Sequence, residues 1–246
     1  MVRSVTTIPH VTHGDEVDVT DLEQFRKEQG AIFEKQGAKL TLTAFVVKAV
    51  AGDLAGAERA VERGMSEGNP KEDLVVSVHR IFALQGKPIS EFGASMERVL
   101  SANPKAAHAR VALGYALIQQ DKVDDAVAAF KAVLAPESNS DPHAVYRAVD
   151  ALMQVGRVDD AVAGLDQQIS DRPWVWELLE LRAVVASAQG KPDQAIGFLE
   201  RAIAKSPRNA GLWMKLSEAR EQTGDVAGAQ KAREQANKFV PNEGAH

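Results

Sequence analysis

Apolar positions along this chain fall into helix-length blocks, and short polar breaks separate them at a nearly constant interval. The clearest block pair is RVALGYALIQQDKVDDAVAAFKAVL over residues 110–134, where two apolar runs flank the polar QQDK. A turn residue recurs at Gly52, Gly86, Asp121, Gly156, Gly190 and Gly224, with spacings of 34, 35, 35, 34 and 34. Five residues after most of these stands a small alanine, at Ala57, Ala126, Ala161, Ala195 and Ala229. A proline closes most units, at Pro70, Pro104, Pro173, Pro207 and Pro241, with Ser138 standing where the third is expected. A period in this range marks an array of stacked supersecondary units. Each unit reads as a helix, a tight turn at Gly or Asp, and a second helix that alanine brings close. Proline then ends the second helix, which it cannot continue, and opens the next unit.

These landmarks resemble the tetratricopeptide repeat family over residues 38 to 243, in six units starting near 38, 72, 107, 142, 176 and 210. Leu113, Gly114, Ala126 and Phe130 stand at the family's positions in the third unit, and Trp213 at its early aromatic position in the last. The resemblance implies an all-α fold, a right-handed superhelical solenoid of helix-turn-helix units. Two units depart from the pattern. Gly52 to Pro70 and Gly86 to Pro104 both span 18 residues against 17 later, which predicts one extra residue in the second helix or the turn after it. In the second unit Phe92 or Glu91 replaces the small alanine. The last second helix, DVAGAQKAREQANKFV, is polar enough to close the stack, which otherwise exposes apolar surface at its end.

Residues 1–37 follow a different pattern, a β-favouring stretch and then a helix start at Thr20, where Thr20 and Glu23 form a capping box. Leu22, Phe25, Ile32 and Phe33 give this helix one apolar face, and KLTLTAFVVKAVA over 39–51 predicts a second helix. Residues 4–51, with the runs IPHVTH, DEVDVTDLE and AFVVKAVA, resemble the start of the catalytic domain of 2-oxo acid dehydrogenase dihydrolipoamide acyltransferases. That family's acyl transfer is implied to need a histidine in an H-x-x-x-D-G motif. None of His10, His13, His79, His108, His143 and His246 opens one, so the chain is expected to be non-enzymatic. Two readings of residues 1–37 stay open: a cap on the solenoid end, or an element that docks on an acyltransferase core.

Composition narrows the function classes. The chain has no cysteine, which removes disulfides, thiolate metal sites and cysteine nucleophiles. A net charge of -5 argues against a phosphate-binding surface, so no nucleic-acid partner is expected. No stretch is long and apolar enough for a bilayer and no secretory core opens the chain, so neither membrane nor export is expected, and the location is expected to be cytoplasmic. His10 and His13, three apart on an extended stretch, point to opposite faces and read as no metal pair. No cofactor or metal is expected. Trp174 and Trp176 read as packing between units.

The repeat resemblance further implies a binding groove lined by set positions of each first helix. These are His108, Val111, Tyr115 and Ile118 in the third unit, and His143, Tyr146, Asp150 and Met153 in the fourth. Glu177, Glu180 and Val184 follow in the fifth, with Met214 and Glu218 in the sixth. Apolar and aromatic anchors beside acidic groups suit a peptide with apolar anchors and basic flanks. The expected function is thus a non-catalytic scaffold or adaptor for a protein or peptide partner, directed in one version to a 2-oxo acid dehydrogenase complex through its acyltransferase component. The alternative is a catalytically dead acyltransferase-like subunit that assembles with or regulates such a core.

Overall fold

The structure is a computed structural model in which residues 53–67, 72–138 and 140–239 are described. The stretch and helices expected before residue 52, the metal-pair question at His10 and His13, the turn at Gly52, and Pro70 and Pro241 all lie outside the described residues. Among the described residues the regular structure is helical throughout: α1 (Leu54–Glu67), α2 (Glu72–Leu84), α3 (Ile89–Ala102), α4 (Ala107–Ile118), α5 (Val123–Leu134), α6 (Pro142–Gln154), α7 (Val158–Asp171), α8 (Trp176–Ala188), α9 (Pro192–Lys205), α10 (Ala210–Gln222) and α11 (Val226–Asn237). No helix among them is long and apolar enough to cross a membrane.

One backbone device recurs between the two helices of each pair. Gly86, Asp121, Gly156, Gly190 and Gly224 all have positive φ, between 59 and 81°. Each donates its N–H to the carbonyl three residues back, and the next residue reaches five back, as in Lys87 to Phe82 (3.0 Å), Arg157 to Leu152 (2.8 Å) and Lys191 to Ala186 (2.9 Å). This paired arrangement satisfies the carbonyls that a helix end leaves open, and it needs a left-handed residue. Asp121 is the one L-residue in the set; a short polar side chain tolerates that region better than most.

The turn from one pair to the next is as regular. Asn103 accepts from Ala106 (3.1 Å), Arg172 from Val175 (3.1 Å) and Ser206 from Asn209 (3.2 Å), with Pro104, Pro173 and Pro207 at the second corner. Proline's fixed φ suits that corner, and the turn asks for no N–H there.

By contacts the chain divides into two compact units, with the boundary between Ala129 and Phe130. In the first, α1 contacts α2 and α3, α2 contacts α3 and α4, and α3 contacts α4. Its core holds Ala57, Val61, Met65, Val78, Ile81, Phe82, Phe92 and Met96. The extra residue of the second helix pair is not in the second helix or after it. Helix α3 begins three residues after Gly86, where the later second helices begin two after their turn residue, so the insertion sits at Lys87–Pro88. Phe92 therefore takes the alanine's place, buried with its ring edge-on to Phe82 and His79, while Glu91 is exposed.

In the second unit neighbouring helices contact in sequence from α6 to α11, and α6 also contacts α8. Ala161, Ala195 and Ala229 are buried, as are Leu165, Leu178, Leu179, Leu199 and Leu212. The link between α5 and α6 makes the same turn two residues earlier than in the later pairs. Its corner proline is Pro136, with Ala135 accepting from Ser138 (3.0 Å), rather than Ser138 itself standing in the proline's place. Ser138 and Ser140 instead turn their hydroxyls onto the carbonyl of Val133 (2.7 and 2.8 Å). Buried Gln168 donates to the carbonyls of Leu134 (2.9 Å) and Ala135 (3.1 Å), and Arg172 donates to Gln168 and to the carbonyl of Ser140 (2.7 Å). Side chains thus add to the turn in satisfying the carbonyls at the end of α5. Trp174, expected to pack between units, is 64% exposed at the third corner of the Arg172–Val175 turn.

Candidate functional site

The candidate surface is a set of positions counted back from each left-handed turn residue. Residues 13, 10, 6 and 3 before it are spaced 3, 4 and 3 apart, which places them on one face of a first helix. Each first helix ends in the same turn, so this face keeps its register from one pair to the next.

In the first unit the face falls on α2 and α4. Of the residues read from the sequence, His108 and Val111 are buried, 7% and 5% exposed, so a partner could not reach them without displacing what covers them. Tyr115 and Ile118 are half-buried. Val76 and Arg80, on α2 at the corresponding positions before Gly86, are both exposed. They were not singled out in the sequence, although the count back from Gly86 points to them.

In the second unit the face falls on α6, α8 and α10. Three of its apolar side chains are open: Tyr146, Val184 and Met214, at 48, 43 and 37% exposure. His143 and Glu218 are exposed, and Asp150, Met153, Glu177 and Glu180 half-buried. Asp150 accepts from Gln154 (2.7 Å), and Glu180 pairs with Lys215 (2.7 Å), an ion pair that bridges α8 and α10. Lys215 was missed in the sequence because it lies one position off the stripe.

Ion pairs that involve the second helices carry a different chemistry. Lys131 of α5 and Asp160 of α7 pair at 2.7 Å, and Arg157 joins at 2.6 Å. The hydrogen bond from Lys131 and the charge of Arg157 hold the Asp160 carboxyl below its ordinary range. Arg182 of α8 is buried, bonded to Asp166 (2.7 Å) and stacked on Phe198. Among the described residues no group of histidines and carboxylates is placed to hold a metal ion.

Profiles of the tetratricopeptide repeat match residues 94–142, 146–207 and 186–246, over the helix pairs just described. The chain belongs to the tetratricopeptide repeat family. Outside these repeats, the 2-oxoacid dehydrogenases acyltransferase (catalytic domain) profile matches residues 1–61. This match reaches into α1, where Ala57 and Val61 are buried in the first unit. Over 51 residues the chain is 59% identical to the dihydrolipoyllysine-residue acetyltransferase component of the pyruvate dehydrogenase complex of Haemophilus influenzae, covering 20% of this chain and 9% of that protein. Over 54 residues it is 50% identical to the Bacillus subtilis component, covering 22% and 12%. The chain thus spans about a tenth of the length of these relatives. Among solved structures, a crystal structure of MamA aligns at a TM-score of 0.48 and 19% identity, covering 64% of this chain and 91% of that one. YrrB, described as a TPR protein with an unusual peptide-binding site, aligns at 0.46 and 13%, covering 76% and 95%.

Proposed function

We propose that the chain is a non-catalytic scaffold or adaptor that holds a protein or peptide segment along the exposed faces of its first helices. We take it to comprise six units over residues 38–243, with residues 1–37 set apart as an element that directs the scaffold to a 2-oxo acid dehydrogenase complex. The observation that carries the scaffold is the repeated register. Val76, Tyr146 and Met214 stand ten residues before Gly86, Gly156 and Gly224, and all three are exposed apolar side chains. Large apolar groups left open at one repeated position serve as anchor sites for a partner, not as core.

The test is a crosslinking capture with the full chain against its Tyr146→Ala, Met214→Ala double variant, with far-UV circular dichroism checking that helicity is unchanged. Loss of the crosslinked partner from the variant is expected. Equal capture by both would overturn the placement of the site.

The match over residues 1–61 favours one further reading, that of a catalytically dead acyltransferase-like subunit which assembles with or regulates a dehydrogenase core. Sedimentation of the full chain mixed with a purified acyltransferase core tests this reading together with the directing role of residues 1–37. A chain that sediments as a lone monomer would remove both and leave the scaffold. Turnover in an acetyl-transfer assay would overturn the non-catalytic part of both.

A further inference from the structure

The first-helix face of the second unit carries a pattern more specific than apolar anchors. At ten residues before the turn, α6, α8 and α10 present Tyr146, Glu180 and Met214. At six before it they present Asp150, Val184 and Glu218. Apolar and acidic groups thus alternate along each helix and from one helix to the next. Helix α6 contacts α8, and the Glu180–Lys215 pair joins α8 to α10, so the three rows are neighbours. Two cations lie close to this register, Arg147 on α6 and Lys215 on α10. Lys215 already stands 2.7 Å from Glu180, a cation seated in the checkerboard from within the chain.

We propose that this face takes a cationic segment in which basic and apolar side chains alternate, and that Lys215 occupies part of the position the partner's cation would fill. The proposal rests on the scaffold reading and names the class of its ligand. Charge complementarity sets the sign: among the six positions three are carboxylates and none is basic. Spacing sets the pattern. Packed helices lie about 8–10 Å apart, and an extended chain covers about 3.3 Å per residue. A segment crossing the helices therefore places successive anchors about three residues apart, apolar then basic. An acidic chain terminus would meet like charges and be rejected.

The experiment is fluorescence anisotropy with the full chain and labelled synthetic peptides in which leucine and lysine alternate at every third position between serines. A matched peptide carries glutamate in place of lysine. The lysine peptide is expected to bind with an affinity that falls as salt rises, and the glutamate peptide not to bind. Asp150→Asn with Glu218→Gln should weaken the lysine peptide about tenfold, and Lys215→Met should tighten it about threefold by releasing Glu180. If both peptides bind equally, or the carboxylate variants leave Kd unchanged while Tyr146→Ala with Met214→Ala abolishes binding, the charge proposal falls and the scaffold reading stands. If neither peptide binds and the apolar variant also leaves crosslinking capture intact, both fall. Circular dichroism of each variant separates loss of binding from loss of fold.

Discussion

Gly164 sits in the interior of α7, where glycine costs about 1 kcal/mol relative to alanine. A Cβ there would lie 2.7 Å from Leu134 Cδ1 and 2.8 Å from its Cβ, and Leu134 is buried and cannot swing away. Overpacking of that kind costs about 1–3 kcal/mol, which exceeds the propensity gain. Gly164→Ala is therefore expected to lower stability by about 1 kcal/mol in urea denaturation. Gly197, inside α9, has nothing within 4 Å of the same position, so Gly197→Ala should raise stability by about 0.5–1 kcal/mol. Equal effects of the two substitutions would mean that the α5–α7 approach is wrong. The left-handed turn glycines were legible in the sequence because they recur with the period. Gly164 was not, because nothing in its neighbours' identity tells that a leucine thirty positions away presses against it. The same limit applied to the site: His108 and Val111 share their register with His143 and Tyr146, but burial depends on what covers each helix, which the register does not encode.

Among the second helices of the second unit, α11 buries the least apolar surface and is held most weakly. Second helices α7 and α9 each bury a leucine and an isoleucine beside their alanine, whereas α11 buries only Gly228, Ala229, Ala232 and Ala236. A buried leucine or isoleucine contributes about 1.5–3 kcal/mol. The exposed Arg233–Glu221 pair is worth about 0–1 kcal/mol and does not offset that loss. Amide exchange in residues 226–237 is expected to open at a free energy at least about 2 kcal/mol below that of residues 192–205. Equal protection of the two helices would contradict this ranking. The polar sequence of α11 already marked it as an end. Two other element-level features were beyond reading. The site of the extra residue in the second helix pair depends on Phe92 finding room between Phe82 and His79, and the α5 end depends on Gln168 and Arg172 arriving from a later helix. Spacing counts residues between turns; packing decides which segment absorbs a surplus one.

At the scale of the whole molecule, all three tryptophans, Trp174, Trp176 and Trp213, belong to the second of the two compact units. Their fluorescence follows that unit alone, while far-UV circular dichroism follows helices in both. Arrays in which each repeat touches only its neighbours need not unfold as one. The two probes are accordingly expected to give different midpoints in a denaturant titration, and coincident transitions would show that the units melt together. The recurring left-handed turn has one more consequence, for how such a chain can be lengthened or shortened. Excising residues 157–190 would join Gly156 to Lys191, a glycine followed by a cation as before, and would hand α6 a second helix whose Ala195, Leu199 and Ile203 replace Ala161, Leu165 and Ile169 at the same offsets. Phe198 and Ala202 would then stand where Gly164 admits Leu134 and Gln168 caps α5, so the splice also needs Phe198→Gly and Ala202→Gln. The turn is a seam along which whole units can be cut out or spliced in, and only the side chains that meet the preceding helix have to be matched across the join.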